Sequence, residues 1–174
     1  GNYGAGEVDF ALRPVCPHGC QLRFEIGDGT ASDYIDSSPR YDGYYFEHWR
    51  HVVAVYEAAE LRLYVDGDGQ SKVTAVTPGD RNIPVTIGQS SVASGGAGAY
   101  VGSMSGVAIY DRALTGAEVA AHFSASQTAD LCAGGCPAGM QSYWRMDEGA
   151  GSIAHDGAGS HHGSLVGAGL TWTP

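Results

Sequence analysis

HVVAVY, residues 51–56, and LRLYVDG, residues 61–67, decide the fold. Both runs are rich in β-branched and aromatic residues over the length of one strand. The second closes on Asp66-Gly67, a pair suited to a tight reversal because glycine takes positive φ without steric cost. Lys72 to Val76 should therefore return antiparallel.

Working outward, VDFAL (8–12) and QLRFEI (21–26) alternate in character and flank CPHGC (16–20), as the arms of a hairpin would. A polar stretch from Gly27 to Gly43 follows, with Asp28, Asp33, Asp36 and Asp42, and reads as a surface strand plus loops. Further on, Pro84 to Ile87 reads as a short strand, Ser90 to Gly98 as a surface loop, and Met104 to Tyr110 as a core strand. Thr115-Gly-Ala-Glu118 is a capping box, so one short helix near 115–123 is expected. Trp49 and Tyr56 are assigned to the core.

Charged residues make up only 16% of the chain and 27 of its 174 residues are glycine, a composition suited to short strands and tight turns. One domain is the expectation from length. The formal net charge of -10 excludes partners that need clustered Lys and Arg, namely nucleic acid and anionic membrane, and favours a cation as companion. No run of apolar residues is long enough for membrane insertion. The chain starts at Gly1 with no basic-then-apolar leader, and a trimmed, soluble, extracellular or cell-surface protein is expected.

Cysteines fall in two C-x3-C pairs, Cys16 with Cys20 and Cys132 with Cys136, each within a Pro/Gly turn. Two local disulfides are expected, with a four-cysteine zinc site as the rival.

Trp49 through Tyr56, Leu61 through Gly67, Gly102 through Leu114 and the Glu118 helix resemble the second half of a LamG-like jellyroll of the concanavalin A-like lectin/glucanase superfamily. Tyr143-Trp-Arg-Met-Asp-Glu-Gly149, Asp156-Gly-Ala-Gly159, Gly163 and Trp172 resemble that family's opening. The resemblance implies an all-β fold: a two-sheet antiparallel jelly-roll sandwich. It also implies an unusual order, with the opening last. Residues 1–123 form the expected main body, 124–140 a disulfide-pinned linker, and 141–174 opening strands that complete this or a neighbouring domain. Repeats or strand exchange between copies, a permuted closed monomer and an arbitrary cut all remain open. A neighbouring copy, or the next repeat of a longer chain, is the expected acceptor, with Tyr143 to Met146 and Leu165 to Trp172 in β pairing and Trp144 or Trp172 buried.

The same resemblance brings glucanase chemistry to mind, which needs an E-x-D-x-x-E or E-x-D-x-E strand. Glu7-Val-Asp9 begins that pattern, but Ala11 and Leu12 stand where the second glutamate is needed, so the acid/base pair is incomplete and no enzyme is expected. Hydrolase elbow, zincin, P-loop and dinucleotide motifs are missing too.

Calcium is the expected cofactor. The resemblance implies a site in the Asp156 loop, with Asp156, Ser160 and Asp147 as ligands, although Ser160 replaces the usual Asn; the alternative is that Asp147 closes a turn and Glu148 is solvated. Asp28 to Asp42 is a second candidate loop. Tyr41, Tyr44, Tyr45, Trp144 and Trp172 are the candidate ligand or subunit contacts. Two functions follow: a structural or adhesive repeat that joins copies of itself, or a carbohydrate-binding, lectin-like module taking glycans.

Overall fold

The computed structural model describes residues 9–15, 20–38, 48–80, 82, 84–88, 100–126, 130–167 and 169–172. These belong to two compact units, Gly1–Tyr100 and Val101–Pro174. The division places the strand at 107–110 and the helix with the C-terminal segment, whereas the sequence reading groups 1–123 as one body.

The first unit is a two-sheet antiparallel sandwich. One sheet has the order β1-β2-β3, from Phe10–Val15, Gln21–Gly27 and Ser32–Asp36; the other has β4-β5-β6, from Val52–Glu57, Glu60–Val65 and Asp68–Val73. Alternation sends Phe24, Ile26 and Ile35 from the first sheet and Leu61 and Leu63 from the second into a shared core. Ile26, Leu61 and Leu63 are fully buried. Val52, Ala54, Tyr56 and Val76 pack around them, with Tyr56 half-buried at the margin of this core.

Both β4-β5-β6 connections are two-residue hairpins. Asp66 and Gly67 have φ of 52° and 88°, the positive pair that matches strand twist. The β4-β5 turn uses Ala58 and Ala59 at φ 49° and 62°, a conformation that alanine resists.

On one side the sandwich is stitched by polar side chains. Edge-strand carbonyls of Tyr34 and Asp36 accept from Lys72 Nζ at 3.0 Å and Gln70 Nε2 at 2.9 Å. Ser38 in turn donates to Gln70 Oε1. Such capping blocks further strand pairing.

The second unit holds β7 (Val107–Tyr110), α1 (Gly116–Ser126), β8 (Met140–Trp144) and two short strands, β9 (Ile153–Ala154) and β10 (Gly163–Ser164). β7 pairs antiparallel with β8, and β9 with β10. The helix starts as its capping box requires: Thr115 Oγ1 accepts the Glu118 N–H at 3.2 Å and Glu118 Oε2 accepts the Thr115 N–H at 2.8 Å. Arg112 braces the same glutamate at 2.6 Å and donates to Ala138 O, tying the helix start to the chain before β8.

Several expectations are corrected. Trp49 is 68% exposed, because the strand begins only at Val52 and the tryptophan lies outside its alternation. Residues 84–88 form no strand; Pro84 lacks a donor and Val85 and Ile87 stay exposed. Of Leu165 to Trp172, the described residues form no strand either, and pairing there ends with β10. The opening-like strand β8 has its acceptor, β7, on its own chain, against the expected neighbour.

Candidate functional site

The loop after β8 is organised by one carboxylate. Asp156 is 6% exposed and forms an isolated bridge with Trp144, which brings its side chain beneath the strand. Its Oδ1 accepts the backbone N–H of Tyr143 at 2.8 Å and of Ala158 and Gly159 at 3.0 Å; Oδ2 accepts that of His161 at 3.0 Å. Burial pushes the carboxyl pKa up, but the N–H groups of Tyr143, Ala158, Gly159 and His161 outweigh it and hold the acid well below the ordinary range. Gly159 is required by close approach, since a Cβ there would sit 2.8 Å from Gln141 O and 3.0 Å from Asp156 Oδ2.

The surrounding side chains complete a small polar network. His162 Nδ1 accepts the Asp156 N–H at 3.1 Å, and His155 meets the His162 ring edge-on at 5.4 Å. Glu148 is not simply solvated: Oε1 accepts the His155 N–H at 2.7 Å. Trp144 is 7% exposed and donates from Nε1 to His161 O at 2.8 Å. It is a core residue of its unit, as one of the two tryptophans is expected to be. Trp172 is half-buried and donates to Gly151 O at 3.0 Å.

Ser142, His161 and Asp156 lie together, and sequence reading missed the grouping. Ser142 Oγ is 2.9 Å from His161 Nδ1, and Asp156 Oδ2 is 3.5 Å from the same nitrogen. A nucleophilic triad needs opposite ring nitrogens, one for the hydroxyl and one for the carboxylate. Here one nitrogen faces both, Ser142 is 4% exposed, and Asp156 is committed to backbone. Proton relay is therefore not available to this grouping.

The expected calcium ligands do not fit calcium. Hard cations need converging oxygen lone pairs. Asp156 directs its lone pairs at four N–H groups, an environment that favours an anion. Asp147 pairs with Arg145 at 2.6 Å, and Ser160 is exposed on the loop surface. Among the described residues no three His, Cys, Asp or Glu side chains gather as a metal-holding group. The second candidate loop is similarly committed. Asp28 Oδ1 accepts from the backbone N–H groups of Ala31 and Thr30 and from the Thr30 hydroxyl, bonds that hold its pKa near 2. Asp36 binds Arg23 through both oxygens and Asp33 pairs with Lys72.

Cys132 and Cys136 are disulfide-bonded, as expected, which removes them from any zinc site. Cys20 is also disulfide-bonded. Cys16, and the candidate contacts Tyr41, Tyr44 and Tyr45, lie outside the described residues.

Compared with known proteins, residues 3–120 match a laminin G family model described as concanavalin A-like lectin/glucanases superfamily. No curated protein and no solved structure matches the chain.

Proposed function

Because the chain belongs to the concanavalin A-like lectin/glucanase superfamily, we propose that it is a non-catalytic, extracellular structural or adhesive module that joins copies of itself. The superfamily supplies binding and structural modules as well as glycosidases, so the choice rests on particular residues. Charge-bearing groups in the candidate site are committed to backbone and ion pairs, which leaves joining as the better-supported role.

One observation carries the joining role. Phe10 and Leu12 stand opposite Ile26 and Phe24 across the β1-β2 ladder and share their face. Ile26 is 0% and Phe24 5% exposed, whereas Phe10 is 56% and Leu12 46% exposed. Among the described residues the core face thus continues onto β1 without cover, while the β3-β6 side is sealed by Lys72 and Gln70. Apolar side chains set side by side in this way favour burial in an interface, at roughly 25 cal/mol per Å² removed from water. A second copy is the natural occupant, since the same stripe recurs on every copy. Strand exchange is not needed for this, as β8 already pairs with β7 in cis.

Sedimentation of the intact chain over a range of concentrations tests the reading. Self-association should appear in the micromolar range and be lost in a Phe10→Ser, Leu12→Ser variant whose melting curve is little changed. A monomer at all concentrations would overturn it. An extracellular place agrees with the disulfides at Cys20 and at Cys132 with Cys136. No helix among the described residues is long and apolar enough to cross a membrane.

A further inference from the structure

Between β8 and β9 the chain folds back on itself around Glu148. Gly149 and Gly151 take φ of 70° and 85°, and the carboxylate reaches across the turn to accept the His155 N–H through Oε1 at 2.7 Å. The rim is pinned from outside: Gly151 O accepts the Trp172 indole N–H at 3.0 Å, and Ser152 O accepts the Leu165 N–H at 2.9 Å. An open pocket of about 540 Å³ results, lined by Glu148, Ala150, Gly151, Ser152, Ile153 and His155.

The fold satisfies only one oxygen of that carboxylate. Among the described residues Glu148 Oε2 is buried and meets no hydrogen-bond donor. Arg145, the nearest cation in sequence, is spent on Asp147 at 2.6 Å and Asp130 at 3.2 Å. A buried carboxylate oxygen without a donor is costly, so the pocket favours a ligand that brings one. With Oε1 occupied a single oxygen remains, which suits an ammonium group; the guanidinium fork needs both. Beside it Ala150 and Ile153, the latter 47% exposed, form an apolar wall suited to an alkyl stem.

We propose that this pocket takes a lysine side chain of a different, basic polypeptide, with the ammonium on Glu148 Oε2 and the methylenes along Ile153. The formal charge of -10 favours the approach of such a partner. A second copy is a poor source: Lys72 is the single lysine of the chain, and it already donates to Asp33 Oδ1 and Tyr34 O. The pocket shares no residue with the Phe10 and Leu12 stripe, so it stands or falls separately from self-association.

The test is titration of the intact chain, at neutral pH and low salt, with Nα-acetyl-lysine N-methylamide, followed by amide shifts. Parallel titrations use the arginine analogue and the norleucine analogue, which keeps the stem and lacks the charge. The lysine analogue should shift the amides of residues 148–155, the arginine analogue should bind several-fold more weakly, and the norleucine analogue should not bind. Glu148→Gln, which keeps an acceptor for the His155 N–H, should weaken binding about tenfold or more. Ile153→Ser changes an exposed side chain, should also weaken binding, and supplies the test should the first variant fail to fold. The Phe10→Ser, Leu12→Ser variant should bind the lysine analogue as the wild type does. No shift at residues 148–155 at tens of millimolar, equal binding of either other analogue, or binding unchanged in Glu148→Gln would overturn the assignment. Calcium chloride that displaces the lysine analogue from these amides would overturn it too, in favour of a metal.

Discussion

The Asp156 carboxylate accepts the backbone N–H of Tyr143 at 2.8 Å, so a loop residue thirteen positions downstream holds the middle of β8 in place. Three further N–H groups converge on the same carboxylate. An anion supplied by the chain fills the nest, and the loop has no evident need of a metal.

Replacing that anion should cost stability. Asp156→Ala leaves four backbone donors without their charged acceptor, and the expected loss is about 3 kcal/mol or more. For a chain of this size the melting temperature should fall by roughly 6–12 °C. Asp156→Asn keeps one acceptor oxygen and should lose less. Thermal unfolding followed by circular dichroism measures both, and EDTA should leave the wild-type curve unchanged.

The same carboxylate makes stability depend on pH on the acid side. Its folded pKa is depressed, so its contribution is fully present above the unfolded value of about 3.9 and is lost as pH falls toward the lower folded value. Glu118 adds in the same direction, since Arg112 and the Thr115 N–H and hydroxyl hold it near 2. Melting temperature should fall between about pH 4 and pH 2, and the fall should be shallower in Asp156→Asn than in wild type. Parallel slopes in the two proteins would refute the assignment to Asp156.

Much of the fold was legible because its signals are local. Strict spacing placed β2, β4 and β5, and Thr115 with Glu118 marked the helix start to the residue. The less legible features depend on partners distant in the chain. An aspartate in a glycine-rich loop reads equally as a metal ligand or as a nest-filling anion, and only the Tyr143, Ala158, Gly159 and His161 N–H groups distinguish them. Trp49 misled because its place just ahead of a strand resembles the strand itself. The Ala58-Ala59 turn carries no glycine, asparagine or proline, so nothing in its composition announced a reversal.

That turn can be improved. Alanine in the left-handed region costs about 1 kcal/mol or more per residue relative to glycine or asparagine. Ala58→Asn with Ala59→Gly should keep the β4-β5 register and raise stability by about 1–2 kcal/mol, although added chain entropy in the unfolded state offsets part of the gain. Denaturant melts with an unchanged m-value would confirm a local effect.

The Cys132–Cys136 disulfide closes a ring of only a few residues, so it restrains little of the unfolded chain. Replacing both with serine should lower stability by about 2 kcal/mol at most, from loop entropy. Non-reducing peptide maps should recover the 132–136 link intact and show Cys20 linked as well.

Trp144 and Trp172 separate a core role from a contact role. Both were candidates for ligand or subunit contact, yet Trp144 is 7% exposed with its indole N–H donated to His161 O. Trp172 is half-buried and bonds to Gly151 O at the surface. Trp144→Ala should therefore cost about 3–5 kcal/mol, as core tryptophan truncation does, and leave the His161 carbonyl short of a donor. Trp172→Ala should cost about 1 kcal/mol, in line with an ordinary part-exposed substitution. Sedimentation of Trp144→Phe, which keeps most of the apolar volume, separates the two roles. A folded variant with unchanged self-association assigns Trp144 to the core, whereas a folded variant that no longer associates would return it to an interface.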